Sequence, residues 1–341
     1  MKNLKGYEKL VFFINTAAAL LLLLSYLLPY LPPKDFAFLS VLSLAVPLFI
    51  ILNLVFVLYW LLKAKKQLLL SAIVLLLGYG HVLSLYKFTA SKDVKDGNAI
   101  TVMNYNVRLF NLYGWIEEEG IEEAVVNLIT QESPDVVSFQ EYHPHENVDL
   151  SVYPYKFEDL SGERVRYGQA IFSKYPIINS GSVSFPNTAN NAIYADVVKN
   201  NDTIRIYNVH LQSMGIEENL EDLNRKDSER LLKRAAERFK MQQEQAELFV
   251  AHKEKAPHKV IICGDFNNTA FSYVYKMIKG ELNDSFEEAG NGFGRTFKFR
   301  YFPVRIDFIL VDATFEVNSF KVLEEKLSDH YPVVTNISLH K

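Results

Sequence analysis

With one cysteine, Cys263, the chain can form neither an intramolecular disulfide nor a thiolate-rich metal site. That residue lies inside the apolar run VIIC and reads as a small buried strand side chain. There is no internal repeat and no low-complexity tract, which excludes a repeat array. Nor is there the single short apolar core, followed by polar sequence, that a cleaved signal peptide would leave. Excess basic charge is missing too. Residues 1–98 hold ten Lys and four Asp or Glu, so 26 of the 36 basic and 36 of the 40 acidic residues fall in 99–341. That part, at a net charge of −10, has no global positive field with which to grip nucleic acid phosphates.

What the N-terminus has instead is three apolar stretches, about 10–31, 36–62 and 68–86, with no charge in their centres. Each approaches or exceeds the ~20 residues that cross a bilayer as helix. Pro29, Pro32 and Pro33 mark the first turn, and Lys63, Lys65 and Lys66 the second. Lys2, Lys5 and Lys9 place the N-terminus in the cytoplasm, and the second cluster agrees with it after two crossings. A third crossing delivers the remainder to the extracytoplasmic side. The expected organisation is a membrane anchor over 1–88, a polar linker over 89–98 and a soluble acidic domain over 99–341. Asn53 and His81, polar residues inside spans, are expected to pack helices.

In the soluble part, AITVMNYNV (99–107), DVVSFQE (135–141), GQAIFSKYPI (168–177), KVIIC (259–263), RIDFILV (305–311), EVNSFKVL (316–323) and YPVVTNISL (331–339) read as strands. Residues 192–211 read as a hairpin turning at Asn-Asn-Asp. Helices are expected over 116–131, 226–253 and 271–280. This mixture favours two packed sheets with outer helices. Polar residues recur where strands end: Asn106, Glu141, His210, Asp265, Asn267, Asp307, Asp329 and His330. Loops at such ends build sites. Oxygen donors and imidazoles without thiolates suit Mg2+, or Mn2+, better than zinc. A phosphate ester repels a nucleophile, so its hydrolysis needs a cation, donors and a base within reach. Asp307 is read as the partner that steadies His330, the other reading being an ion pair with Arg305.

The segments MNYNVR, SFQE, AIFSKYPI, NVHLQS, GDFN, RIDFI and SDHYPV, in that order across 103–333, resemble the endonuclease/exonuclease/phosphatase superfamily. The resemblance implies a deoxyribonuclease-like α/β fold, a four-layered α/β/β/α sandwich with its active site at one edge of the sheets. It also implies roles. Glu141, Asn106 and Asp329 match metal-site positions. Asp265 matches the aspartate that activates water, and Asn267 the amide on a phosphoryl oxygen. His210 and His330 match histidines at the phosphate, with Asp307 orienting His330. The expected activity is Mg2+-dependent hydrolysis of a phosphodiester by in-line water attack. Nucleic acid is the first substrate candidate and a lipid or inositol head group the alternative. A catalytically silent domain that binds phosphorylated ligands is the rival from another class. No protein partner is expected.

Overall fold

The computed structural model describes residues 4–89, 97–215 and 225–339. Lys2, His340 and most of the expected linker lie outside the described residues. The apolar N-terminus folds as α1 (Gly6–Ser25), α2 (Pro33–Ser40), α3 (Val46–Leu62), α4 (Leu68–Leu77) and α5 (Tyr79–Leu85). Gly6–Tyr30 and Pro33–Leu62 are long and apolar enough to cross a membrane; α4 with α5 makes a third such segment if the pair is one span.

Two of the three expected stretches are not straight. The second breaks at Phe36 (φ −125°, ψ 39°) and passes through a tight 3-10 turn, Val41–Ala45, before α3 begins. Pro47 lies in the first turn of α3 and has no N–H to offer the Ser43 carbonyl four residues back. That carbonyl accepts the Thr269 hydroxyl at 3.0 Å. The third stretch bends by 81° between α4 and α5, at Gly78. A Cβ at Gly78 would lie 2.0 Å from the Tyr26 ring, whose hydroxyl donates to the Val74 carbonyl at 2.9 Å. Inside the bundle the two amides are linked through a serine hydroxyl and capped by an indole. Asn15 Nδ2 donates to Ser71 Oγ (2.6 Å), Ser71 Oγ to Asn53 Oδ1 (2.8 Å) and Trp60 Nε1 to Asn15 Oδ1 (2.9 Å). Asn53 thus packs helices as expected, and His81 stacks on Phe271 at 5.7 Å.

The remainder is a mixed α/β sandwich. Its strands are β1 (Lys87–Phe88), β2 (Ala99–Asn106), β3 (Val136–Tyr142), β4 (Tyr155–Ser161), β5 (Tyr167–Ser173), β6 (Ile177–Ser184), β7 (Asn191–Lys199), β8 (Asp202–His210), β9 (Lys259–Asp265), β10 (Asn283–Asp284), β11 (Asn291–Gly292), β12 (Asp307–Val311), β13 (Glu316–Val322) and β14 (Val333–Ser338). Its helices are α6 (Ile121–Glu132), α7 (Arg225–Lys253), α8 (Tyr273–Lys279) and α9 (Ser285–Ala289). One sheet runs β13-β14-β2-β3-β5-β4 and the other β10-β12-β9-β8-β7-β6, each with one parallel pair, β2–β3 and β8–β9. β1 pairs with β11. The hairpin expected over 192–211 is β7–β8, closed at Lys199↔Asp202.

Strand periodicity explains the layering. Ile100, Val102, Ile261, Cys263 and Ile309 face the space between the sheets. Their alternates Met103 and Tyr105 face α6, through Ile121, Val125 and Ile129. Ile262 and Phe308 face α7 and α8, through Phe249, Val274 and Ile278. Burying each of those large apolar side chains contributes roughly 1.5–3 kcal/mol. Strands covered on both faces read as unbroken apolar runs, hence VIIC and FILV. α6 starts five residues later than periodicity suggests, because Gly120 takes a left-handed backbone (φ 73°) and caps it. α8 is bounded by Ser272, whose side chain accepts from the Tyr275 N–H.

Candidate active site

The same alternation builds the site. On β2 the inward positions run Ile100, Val102, Asn104, Asn106, and on β8 they run Ile204, Ile206, Asn208, His210. Toward this end the inter-sheet layer becomes polar. Gln140 Nε2 donates to Asn104 Oδ1 (2.7 Å) and Asn208 Oδ1 (2.6 Å), and Asn208 Nδ2 donates to the Phe139 carbonyl (2.6 Å). One step further, at the rim, register sets His210 and Asp307 on either side of Asp265.

Glu141 follows the inward Gln140, so strict alternation would turn it away. A break in the β3–β5 register and a left-handed backbone (φ 49°) bring it back to the site. Asn267 has the same φ, and Arg108 to Asn111 form a run of positive φ from 43° to 63°. Each such non-glycine residue costs on the order of 1–3 kcal/mol, and such strain clusters where side chains must be aimed. Gly264 is required for a different reason: a Cβ there would lie 2.2 Å from the Val209 carbonyl oxygen of the neighbouring strand.

Asp265 is 1% exposed. Its Oδ1 accepts the Asn267 N–H (2.8 Å), and its Oδ2 accepts Asn106 Nδ2 (3.0 Å) and Asn267 Nδ2 (3.2 Å). His330 Nδ1 lies 3.0 and 3.1 Å from the two Asp307 oxygens, and its Nε2 is 3.7 Å from Asp265 Oδ2. Asp307 therefore pairs with His330; Arg305 turns to Asp284, 2.6 Å away. His210 Nε2 stands 3.7 Å from Asp265 and 3.9 Å from Glu141, beyond hydrogen-bond reach of either. Glu141 Oε1 is 3.4 Å from Asn106 Nδ2, and its side chain is 37% exposed to the groove. Asp329 stands at the rim, 3.1 Å from Arg108 Nη1.

The electrostatics follow from burial and these pairings. Burial pushes the Asp265 carboxyl up to about 6, against the opposing pull of His330 and His210. Burial alone would lower His330, but the Asp307 and Asp265 charges outweigh it and hold the imidazole cationic up to about 10. His210 is pushed down by burial and Glu141 pushed up. The rim thus holds one imidazole kept charged and one kept neutral.

Asp265, Asp307 and His330 each offer a ligand atom within 4.8 Å of the others. Asp307, however, spends its charge on the His330 cation, so this trio suits a charged pair better than a bound ion. Glu141 and Asp265 offer carboxylate oxygens that suit a hard cation, and both converge on one amide N–H, a point that favours positive charge. Asn106 presents that N–H, while its Oδ1 accepts the Arg108 N–H at 3.1 Å, so it would join the ligands only with its amide turned over.

Sequence reasoning missed several supporting residues. Ser328 Oγ donates to the Asn106 carbonyl at 2.9 Å and accepts the His330 N–H at 3.2 Å. Thr296 Oγ1 accepts the Ile306 and Asp307 N–H groups. Gln242 interrupts the apolar stripe of α7; its Nε2 reaches the Gln212 and Phe266 carbonyls, tying down the loop that carries Asn267. A glutamine within an apolar stripe was the one available signal. Arg108 lies over the Trp115 ring at 4.5 Å, while Tyr142 is core.

This sandwich and this rim are those of a phosphoesterase fold. The sequence profile of the Endonuclease/Exonuclease/phosphatase family matches residues 103–330, and the chain belongs to that family. Residues 8–85 match a second profile, described as a Domain of unknown function (DUF8431). Among solved structures, an endonuclease/exonuclease/phosphatase from Beutenbergia cavernae is 18% identical with a TM-score of 0.55, over 71% of this chain and 72% of that one. A mannosyl-6-phosphatase from Bacteroides thetaiotaomicron is 18% identical with a TM-score of 0.53, over 70% of this chain and 99% of that one. The human Nocturnin catalytic domain, with bound sulfate, is also 18% identical with a TM-score of 0.53, over 74% and 96%. No functionally curated protein matches the sequence.

Proposed function

We propose that the protein is a membrane-anchored, divalent-metal-dependent phosphoesterase that hydrolyses its substrate by in-line attack of water. The observation that carries this reading is the meeting of Asp265, Asn106, Glu141, His210 and the His330–Asp307 pair at one rim of two sheets. Glu141, Asn106 and Asp265 would hold the ion, Mg2+ or Mn2+, with Asp329 close by at the rim. When bound, the ion would offset charge on the phosphoryl oxygens. Asp265, ionised beside the ion, would accept the proton of the attacking water through the carboxylate oxygen not turned to it; the burial-raised value of about 6 belongs to the metal-free site. His330, held cationic by Asp307, faces the growing phosphoryl charge. Neutral His210 and the Asn267 amide complete the polar ring. A buried carboxylate beside the His330–Asp307 pair is the arrangement expected where protons are moved, which favours an enzyme over a silent binding domain.

Residues 1–88 serve as the anchor and 99–341 as the catalytic domain. Lys5 and Lys9 precede or open α1, and Lys63, Lys65 and Lys66 follow α3. Contacts of Asn15 with Trp60 and of Ala18 with Asn53 set the two helices antiparallel, and Tyr30 and Ser43 at their other ends meet Lys276 and Thr269 of the sandwich, so both basic groups lie at the far end of the bundle. With positive charge retained inside, the sandwich is extracytoplasmic. Nucleic acid remains the first candidate by resemblance, although the cations lining the groove number three, Arg108, Arg234 and the His330 imidazolium, among the described residues. The test is hydrolysis of bis-p-nitrophenyl phosphate by the full-length protein with Mg2+. Asp265→Ala and His330→Ala should each lower kcat by on the order of 10²–10⁴-fold. Full activity in both variants would reject the assignment.

A further inference from the structure

The groove over Asp265 and His330 has a volume of about 520 Å³, and one of its walls is not part of the sandwich. Leu44, from the 3-10 turn between α2 and α3, lines it together with Glu141, Asp265 and His330. Leu44 is two residues from Val46, the first residue of a 17-residue apolar helix. With the anchor in a membrane as proposed above, Leu44 would sit where that helix leaves the hydrocarbon and the groove would open beside the membrane surface. The turn is fastened to the catalytic loop by the Thr269–Ser43 hydrogen bond. Further along, Lys34 pairs with Glu247 of α7 at 2.5 Å, and Phe271 is buried within the apolar N-terminal bundle. These contacts hold the anchor against the site, where a loose tether would make none.

The groove also has a partly aromatic extension. Phe299 and Phe302 line both it and an adjoining cleft of about 1090 Å³, where Tyr86, Phe293 and Tyr301 stand with Arg295, Arg300 and Lys321. Tyr86 directly follows α5, so the cleft runs from the reacting carboxylates toward the exit of the last apolar helix. Aromatic side chains of this kind are at home at the membrane–water boundary. The reacting end of the groove carries the carboxylates and imidazole, and the end nearest the anchor mixes aromatic rings with basic side chains, a lining suited to the headgroup layer of a membrane.

We propose that the substrate is a phosphorylated lipid of the membrane that holds the anchor, its phosphate at Asp265 and His330 and its apolar stem along Leu44, Phe299 and Phe302. This rests on the phosphoesterase reading above and adds the substrate class. Duplex nucleic acid fits the same groove poorly, since Leu44 and the aromatic loop crowd its mouth.

The test uses the full-length protein reconstituted in phosphatidylcholine vesicles with Mg2+, and two synthetic diesters, methyl and hexadecyl p-nitrophenyl phosphate. The hexadecyl ester should show a kcat/KM at least about tenfold higher, the effect of burying roughly two methylenes. In Leu44→Ser, and independently in Phe299→Ser on the sandwich's own loop, the hexadecyl-to-methyl ratio should fall toward one. That fall separates groove contact from simple concentration of the ester in the vesicle. Equal kcat/KM for the two esters, or a ratio undiminished in both variants, overturns the proposal. So does faster cleavage of a duplex oligonucleotide than of the hexadecyl ester. Hydrolysis of neither ester and of no oligonucleotide would instead remove the phosphoesterase reading itself, and this proposal with it.

Discussion

Replacing Asp307 with Asn removes the charge that keeps His330 cationic while preserving the shape of the side chain. The two groups lie 3.0 Å apart and are both buried. At an effective dielectric of about 20, a charge pair at that distance is worth roughly 5 kcal/mol, or on the order of 3–4 pKa units. His330 should then titrate near pH 6–7 rather than about 10. The groups facing it are Asp307, Asp265, Asp329, Glu141 and His210; after the substitution Asp265, Asp329 and Glu141 still favour its charge. Nitrogen-15 NMR of the imidazole in metal-free protein measures this directly. The stability consequence has a defined sign. A raised imidazole pKa stabilises the folded state fully below the unfolded value near 6.5, and this contribution is lost as pH rises through about 10. Wild-type thermal stability should therefore decline between pH 7 and 10, and that decline should flatten in Asp307→Asn. At pH 8 the variant should also lose kcat by about 10²-fold or more, with partial recovery near pH 6. An imidazole still titrating near 10 in the variant would refute the pairing argument.

Asp265→Asn should abolish turnover yet raise stability in the metal-free protein by roughly 1–3 kcal/mol at pH 8, because a carboxyl whose folded pKa is raised costs stability once ionised above about pH 6; chemical denaturation showing a loss would contradict this. Gly264→Ala forces a Cβ onto the Val209 backbone, and a cost of about 3 kcal/mol with loss of activity is expected; unchanged denaturation midpoints would show that the strands can part cheaply. Chelation by EDTA should stop hydrolysis and Mg2+ should restore it, while Glu141→Gln should weaken Mg2+ binding in calorimetry by tenfold or more. Wild-type affinity in that variant would move the ion elsewhere. Gly78→Ala should clash with Tyr26 and lower the unfolding temperature of the full-length protein in detergent; an unchanged temperature would mean the 81° bend does not depend on Tyr26.

Much of the site was legible because strand alternation and register are simple rules. Asn106, His210, Asp265 and Asp307 fall on inward positions one step beyond the apolar core, so their convergence follows once the strands are recognised. Glu141 escapes that rule: its side chain reaches the groove through a bulge and a left-handed backbone that no residue type at the position signals. The Asn104–Gln140–Asn208 layer was equally hidden, since an amide at an inward position is read as a strand end until a partner is seen to satisfy it. Arg305 stands two residues from Asp307 in sequence but pairs with Asp284, a choice set by tertiary packing alone. In the N-terminal helices, hydropathy gave lengths but not shape. The break before α3 depends on Pro47 freeing a carbonyl for Thr269, and the bend at Gly78 on Tyr26 filling the space beside it. Both are contacts across long sequence separations, to which a windowed reading is blind.

The account stands on a divalent ion held by Glu141, Asp265 and Asn106. The most direct measurement is anomalous diffraction from crystals of the full-length protein soaked in Mn2+. A peak should lie within direct coordination distance, about 2.1 Å for an ion of this class, of a Glu141 carboxylate oxygen. A peak confined to other residues, or full hydrolytic activity with no divalent ion bound, would contradict the assignment.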